Sequence, residues 1–196
     1  HEPSNLVRDQ IQEQGISYER YSETSSMSWM IPDITFSEKI QLHWSDDPLL
    51  IEHHPGPRPG SCWVVLPSDK ILFIGDAVTV KGPPFLGKAH LPTWIDTLDV
   101  LLRAKYKDYT LISGRGGPID HDQIRELKKS FRKIHRRIEK LASRRASAED
   151  AGDLADKFLD EFVVDKRDRD FFLQRLKHGL SQYYTRNYFP QLENNN

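Results

Sequence analysis

The segment HHPGPRPGSCWVVLPSDKILFIGDAV, residues 53–78, carries side chains of the kinds that bind transition metals. Imidazole nitrogens and carboxylate oxygens are common protein ligands of zinc. The segment offers His54 just before a Pro/Gly-rich loop and Asp76 at the end of an apolar run. Pro57, at the centre of the loop, has no lone pair to donate to a metal. The segment therefore predicts the wall of a metal site, to which Pro57 can supply no ligand.

Short strands and turns are predicted around these residues. The apolar runs at residues 62–66 and 71–74 are rich in β-formers and flank the polar turn PSDK, so they predict a β-hairpin. Apolar residues through residues 34–44 alternate with polar ones and predict two strands, and residues 49–52 predict another. After a Pro/Gly loop, a helix from about Thr93 and a short strand lead to the corner SGRGGPID.

The second part of the chain is predicted to be helical. From Asp120 to Leu141, apolar residues recur at alternating steps of three and four, which predicts one long amphipathic helix. Ser147 resembles an N-cap and predicts a helix through Phe158. Residues 166–188 predict a last helix, and a short one is predicted near the start of the chain, at residues 5–14.

The order of these motifs resembles the C-terminal half of a metallo-β-lactamase-fold hydrolase. The resemblance covers roughly residues 31–141, where HPG-x-x-PGS, LFIGDAV and ISGRGGP stand for the PGHTPGS, strand-GD and GHG motifs of that family. It implies an α/β fold, a sandwich of mixed β-sheets flanked by helices, with its N-terminal part missing. Residues 1–145 would form this partial domain, and residues 146–196 an all-helical C-terminal extension.

The resemblance also implies what chemistry the ancestral site performed. In the family, histidines and a bridging aspartate hold two zinc or iron ions, which acidify a water and polarise the substrate. The HxHxDH run that supplies the first ligands is absent from this sequence. One later histidine position falls on Pro57 and the other on Arg115, a permanent cation, so only the bridging Asp76 is kept. We therefore expect no metal cofactor, unless an intact protein rebuilds a zinc or iron site.

A carboxylate that has lost its metal needs another cation if it is partly buried. Arg115 stands where a ligand once pointed into the pocket, so we predict that it pairs with Asp76. Arg58, next to Pro57, is a second candidate, and the alternative is that both arginines point to solvent. His54 is displaced from the ligand position along the strand and would project from a different place, so we do not expect it to replace a ligand.

The strongest charge run of the chain lies in residues 125–145. Basic residues far outnumber acidic ones there: Arg125, Lys128, Lys129, Arg132, Lys133, Arg136, Arg137, Lys140, Arg144 and Arg145 against Glu126 and Glu139. Such a stripe can bind the phosphates of nucleic acids. Residues 149–161 are acidic, however, so we favour an acidic neighbour or a solvated surface.

The composition is that of an ordinary protein without a membrane span. Lys and Arg number 28 against 29 Asp and Glu, so the chain as a whole is not a polyanion binder. The longest apolar runs are far shorter than the roughly 18 to 20 residues of a spanning helix. A single cysteine, Cys62, and the lack of a visible signal peptide predict a cytoplasmic location. Cys62 itself is predicted to be a buried strand residue.

Two classes of function remain open from the sequence. The chain begins with His1, and its first residues resemble the tail of an element already under way. We therefore expect either that the front has been trimmed or that the sequence starts partway through a gene product. The first class is a degenerate, non-catalytic binding or scaffolding module, and the second is the C-terminal portion of a zinc or iron hydrolase completed by an N-terminal half. Whether the chain is an enzyme stays open. An uncovered sheet would pair with a second copy or with the missing segment, and residues 82–90 would line the pocket mouth.

Overall fold

The structure is a computed structural model that describes residues 34–43 and 47–189. The chain divides into two compact units, His1–Phe36 and Ser37–Asn196, and the fold described below is that of the second unit. The helix predicted at residues 5–14 lies outside the described residues. The strand predicted to include Ile34 and Phe36 is not formed there, since both residues lack regular secondary structure.

Six strands form one mixed sheet whose spatial order follows the sequence. They are β1 (Lys39–Leu42), β2 (Leu49–His53), β3 (Cys62–Leu66), β4 (Ile71–Gly75), β5 (Thr110–Ser113) and β6 (Gly117–Ile119). All neighbours pair antiparallel except β4 and β5, which are parallel. A parallel pair needs a long crossover, and helix α1 (Leu91–Leu101) lies in that connection. The predicted hairpin is therefore present as β3 and β4.

The helices predicted from Asp120 and from Ser147 begin directly after those residues. A 3-10 turn at Ala104–Tyr106 lies between α1 and β5, and the helices after β6 are α2 (His121–Ser143), α3 (Ala148–Gly152), α4 (Ala155–Leu159) and α5 (Arg169–Tyr188). Asp120 and Ser147 cap α2 and α3 through capping boxes. Within the described residues, no helix is long and apolar enough to cross a membrane.

The single helix predicted from Ser147 to Phe158 is instead two short helices. The first, α3, ends at Gly152, a residue type that weakens a helix interior. Gly152 is needed for packing, because a Cβ there would lie 2.6 Å from the Ser181 hydroxyl oxygen of α5. Helix α4 begins after Leu154. The Leu154 side chain forms no capping hydrogen bond with this helix.

The helices cover one face of the sheet. Alternate strand residues on that face, including Trp63, Val65, Leu72 and Ile74, are at most 1% exposed and pack against apolar residues of the helices. The same core continues through α3, α4 and α5, which follow residue 145. The predicted α/β class, with a mixed sheet flanked by helices and a helical C-terminal segment, is confirmed. The domain boundary at residue 145 stays a prediction.

The other face of the sheet is also apolar, but the described part of the chain does not bury it. Because side chains alternate along β3, Trp63 and Val65 point to the helices while Cys62 and Val64 point away. Cys62 is therefore exposed, and the prediction that it is buried is wrong.

Candidate functional site

Helix α1 holds two loops at the same end of the sheet. The loop between β2 and β3 contains Pro57, and the loop after β4 begins with Asp76. The buried Trp94 indole donates from Nε1 to the Ala77 carbonyl oxygen at 3.0 Å. The buried Thr97 hydroxyl donates to the Pro55 carbonyl oxygen at 2.5 Å. Helix α1 therefore holds both the loop that contains Pro57 and the loop that begins with Asp76, the two loops where site residues were predicted.

The loop that contains Pro57 is closed by its own hydrogen bonds. The Arg58 carbonyl oxygen accepts from the backbone N–H of Gly56 at 3.1 Å and of Ser61 at 3.2 Å. The Arg58 N–H donates to the Ser61 hydroxyl oxygen at 3.2 Å. Pro57 is half-buried and has neither a backbone N–H nor a side-chain donor atom. This loop therefore offers no metal ligand at the position where the resemblance implies one.

Asp76 forms the ion pair that the sequence predicted, with Arg115. The guanidinium Nε lies 3.2 Å from Oδ1 of the carboxylate, and Nη2 lies 3.1 Å from Oδ2. Both carboxylate oxygens are thus engaged by two nitrogens of one guanidinium, the arrangement that arginine adopts best. The Asp76 and Arg115 side chains are 41% and 47% exposed, respectively, so the pair lies at the surface rather than in a deep pocket.

Small residues just before Arg115 allow the chain at residues 113–115 to lie against the Asp76 loop. The Gly114 N–H donates to the Gly75 carbonyl oxygen at 2.8 Å, which sets the corner against the Asp76 loop. A Cβ on Gly114 would lie 3.2 Å from Asp76 Oδ1 and 3.2 Å from the Gly75 carbonyl carbon, tighter than most real contacts. Ser113 adds a second link, donating to the Val78 carbonyl oxygen at 2.5 Å. The roles of Ser113 and Gly114 were not predicted, although both stand next to the RGG motif.

The histidines near the site have other partners. The His54 ring stacks on Trp63 with centroids 3.7 Å apart, and its Nε2 lies 3.2 Å from the Glu52 carboxylate. The His53 ring nitrogens lie 3.0 and 2.7 Å from the carbonyl oxygens of Ser37 and Pro59. In the part of the chain that the structure describes, no three His, Cys, Asp or Glu side chains are placed to hold a metal ion. Among the described residues, the Asp76 carboxylate therefore has no two further ligand side chains beside it for a metal ion.

A second polar cluster, unforeseen from the sequence, surrounds Glu52. Its carboxylate accepts from the Tyr106 hydroxyl at 2.6 Å and from Lys105 Nζ at 3.0 Å, besides its contact with His54. Burial raises the pKa of Glu52, but the hydrogen bonds from Tyr106, Lys105 and His54 outweigh it and lower the pKa to about 2. Burial lowers the pKa of His54 below its usual value, against the opposing effect of Glu52. The one sequence signal was an acidic residue inside the apolar strand LLIEH.

The loop predicted to line a pocket mouth lies beneath α5. Residues 82–87 are all buried. Arg175 Nη1 donates to the Pro83 carbonyl oxygen at 2.9 Å, and its guanidinium lies over the Phe85 ring at 5.4 Å. Arg186 Nη1 donates to the Gly87 carbonyl oxygen at 3.1 Å. Helix α5 therefore covers residues 82–87, which were predicted to line a pocket mouth.

Four basic residues of α2 form ion pairs with acidic residues of the described part of the chain. Their acidic partners lie on α2 and on neighbouring elements: Arg125 with Asp122, Lys129 with Glu126, Lys128 with Asp99, and Lys133 with Glu161. Glu161 belongs to the acidic segment at residues 149–161, so that segment does contact α2, as predicted. Two other acidic residues of the segment pair with α5: Asp153 with Lys177 at 3.0 Å and Asp160 with Arg169 at 2.8 Å. Binding of nucleic acid to residues 125–145 stays the disfavoured alternative.

Comparison with known proteins assigns the family. A family model described as the metallo-beta-lactamase superfamily matches residues 5–136, more than half of the chain. The chain belongs to the metallo-β-lactamase superfamily, as the motifs predicted. A search of curated proteins finds no match.

Solved structures of larger proteins contain a similar fold. A metallo-beta-lactamase family protein from Thermus thermophilus is 18% identical, with a TM-score of 0.60 over 93% of this chain and 59% of that chain. The stereoselective inverting sec-alkylsulfatase Pisa1 from Pseudomonas sp. is 15% identical, with a TM-score of 0.58 over 81% of this chain and 27% of that chain. The chain thus spans little more than half of one and about a quarter of the other, and the likeness shows the fold alone.

Proposed function

We propose that this chain is a degenerate member of the superfamily that acts as a binding or scaffolding module and not as a metal-dependent hydrolase. The observation that carries the proposal is the ion pair between Asp76 and Arg115, in which one guanidinium engages both carboxylate oxygens. A metal ion would need those same oxygens and would be repelled by the guanidinium charge. Pro57 removes another donor from the same end of the sheet.

The catalytic mechanism of the superfamily depends on what this arrangement lacks. Bound metal ions lower the pKa of water and polarise the substrate, and a lone carboxylate supplies neither effect. The burial of residues 82–87 under α5 further supports a closed surface at the place where substrate would enter. A function in binding is consistent with both features, because it requires neither metal nor pocket.

A second candidate is the C-terminal portion of a zinc or iron hydrolase. The observation that favours it is that the chain spans only 59% of the Thermus thermophilus protein. In that case another segment would supply the HxHxDH ligands, Asp76 would be this chain's ligand, and Arg115 would have to leave the carboxylate.

Metal content separates the two candidates. The chain is purified from cells supplied with zinc and iron, dialysed against metal-free buffer, and analysed by mass spectrometry for bound metal. We expect well under one ion per chain, with the same value in Asp76→Asn. One tightly bound ion per chain that Asp76→Asn removes would overturn the proposal and favour the hydrolase.

Restoring the two histidines tests the ligand positions directly. The double substitution Pro57→His and Arg115→His would place two imidazoles beside Asp76, and three protein ligands suffice for an open zinc site. We expect calorimetric titration with zinc to show a one-site binding isotherm that the parent chain lacks. Pro59→His with Arg115→His is the matched control, since it places an imidazole two residues away in the same loop. Equal zinc binding by both variants would contradict the assignment of Pro57.

A further inference from the structure

A cleft between the end of α1 and the side of α2 is lined almost entirely by basic side chains. Its volume is about 220 Å³. Its lining consists of one apolar residue that follows α1 and five cations of α2: Leu102, Arg125, Lys128, Lys129, Arg132 and Arg136. Among the described residues, no carboxylate lines it. We call this feature the basic cleft.

The five cations lie on one side of α2 because of their spacing. Successive members are three, one, three and four residues apart, and residues three or four apart share a helical face. With a rise of about 1.5 Å per residue, the row from Arg125 to Arg136 extends about 16 Å along the helix. The apolar face of α2, which includes Ile124 and Phe131, is buried in the core. The helix therefore cannot rotate to move the cations away from the cleft.

The positive charge of the basic cleft exceeds the negative charge paired with it. Three cations have carboxylate partners: Arg125 with Asp122, Lys128 with Asp99, and Lys129 with Glu126. In the described part of the chain, Arg132 and Arg136 pair with no carboxylate. Five cations against three carboxylates leave two positive charges.

The two unpaired guanidinium groups lie one helical turn apart. Arg136 Nε donates to the Arg132 carbonyl oxygen at 3.2 Å, which keeps the Arg136 side chain against that turn. Like charges at this spacing destabilise a helix, and a bound anion would remove the repulsion. The Lys128 side chain nearby is only 13% exposed, so its attraction to an anion is screened less by water than at an open surface.

We propose that the basic cleft binds the diphosphate group of a small anion. Guanidinium groups bind phosphate oxygens through pairs of hydrogen bonds, and lysines add point charges. A row of cations about 16 Å long exceeds what a single phosphate can contact. The cleft is smaller than the roughly 300 to 1,000 Å³ of most ligand pockets, so it suits a compact anion. Free diphosphate and the diphosphate of a larger molecule share this chemistry.

A nucleic acid fits the lining of the basic cleft less well. Proteins that bind single strands stack the bases on aromatic side chains. The described lining contains no aromatic residue. Recognition here would therefore be limited to phosphate groups within a short cleft.

This proposal goes beyond the function proposed above, because it concerns a different site. The basic cleft does not include Asp76 or Arg115, and it would bind an anion whether or not Asp76 holds a metal. The metal analysis tests the first proposal and anion binding tests the second, so each can fail without the other.

The test is calorimetric titration of the full chain with inorganic diphosphate in metal-free buffer. At about 0.15 M salt, exposed charges more than about 8 Å from the ligand are largely screened. We expect one binding site, and Arg132→Gln with Arg136→Gln to raise the dissociation constant at least about tenfold, through the loss of hydrogen bonds to a charged group. Glutamine suits a helix and both positions are exposed, so the double variant keeps its fold, which circular dichroism checks.

Lys140→Gln with Arg144→Gln is the matched control. It also removes two exposed positive charges four residues apart at α2, but neither residue lines the basic cleft. We expect it to change the dissociation constant by less than about twofold, because these charges are screened. The proposal is wrong if the parent chain shows no binding at millimolar diphosphate, or if both double variants weaken binding equally.

Two further titrations identify the source of the diphosphate group. Weaker binding of ADP than of inorganic diphosphate would support a site for the free anion, and equal or tighter binding of ADP would support a site for the diphosphate of a nucleotide. A short single-stranded RNA is the third ligand. RNA binding that both double variants weaken alike, without binding of either diphosphate, would show an extended nucleic-acid surface and refute the proposal.

Discussion

The side chains of Asp76 and Arg115 form an ion pair in which one guanidinium contacts both carboxylate oxygens. The position of the pair was predictable from the sequence, because the GD and GRG motifs follow parallel neighbouring strands and end at the same edge of the sheet. Its exposure was not predictable, since it depends on how the loops after β4 and β5 fold over each other. A surface ion pair contributes little to stability, and salt weakens it.

The first stability prediction concerns Arg115→Ala. We expect the free energy of unfolding to fall by only about 0.2 to 1 kcal/mol, because both side chains are nearly half exposed. Urea denaturation measures the change, and a double-mutant cycle with Asp76→Asn isolates the coupling between the two side chains. Arg167→Ala is the control, because its partner Asp165 lies 3.7 Å away and both are well exposed. A loss above about 3 kcal/mol would show that the pair is buried in solution.

The helix α5 and the loop at residues 82–87 depend on each other. Gly82 has a φ of +80°, a backbone conformation that side chains disfavour, and a Cβ there would lie 2.5 Å from Cζ of Phe172. Its N–H donates to the Val163 carbonyl oxygen at 3.1 Å. Glycine at this position therefore allows the helix to lie directly on the loop.

Gly82→Ala is expected to destabilise the protein by at least about 2 kcal/mol, because it combines backbone strain with overpacking. Gly60→Ala is the matched control, since a Cβ at Gly60 has nothing within 4 Å. We expect that control to stay within about 0.5 kcal/mol of the parent. Both are measured as midpoints of urea unfolding. Equal midpoints for the two variants would show that α5 does not press on the loop.

The acid stability of the folded chain is predicted to depend on the Glu52 cluster. The pKa of Glu52 is about 2 against an ordinary 4.5, so the unfolded carboxylate takes up a proton first as the pH falls. The stability that the cluster provides is complete above about pH 4.5 and is lost as the pH falls towards 2. The lowered pKa of His54 acts with the same sign and begins to cost stability below its ordinary value of 6.5.

Glu52→Gln is therefore expected to cost about 1.5 to 3 kcal/mol at pH 7, the usual value of hydrogen bonds to a charged group. It should also flatten the loss of stability between about pH 5 and pH 3, where the unfolded carboxylate titrates. Denaturant unfolding at a series of pH values measures both effects. Glu126→Gln is the control, because Glu126 is 72% exposed and its ion pair is with its helical neighbour Lys129. An unchanged acid slope in Glu52→Gln would exclude the cluster as its source.

Local patterns predicted the elements of the fold better than the contacts between them. The β3–β4 hairpin and the capped starts of α2 and α3 follow from residues close together in sequence. The Glu52 cluster joins residues 54 positions apart, and only the register that sets Glu52 beside Trp63 brings it together. Cys62 was misjudged because a strand that is apolar on both sides does not reveal which face the helices cover.

The strand order allows the sheet to form while the chain is being synthesised. Each strand pairs with the strand synthesised just before it, so the sheet grows from β1 in one direction. A nascent chain that has reached Gly75 already contains four strands in antiparallel order joined by short connections, which form fastest. Only β5 must wait for α1 to be completed before it docks, and vectorial synthesis supplies the pieces in that order.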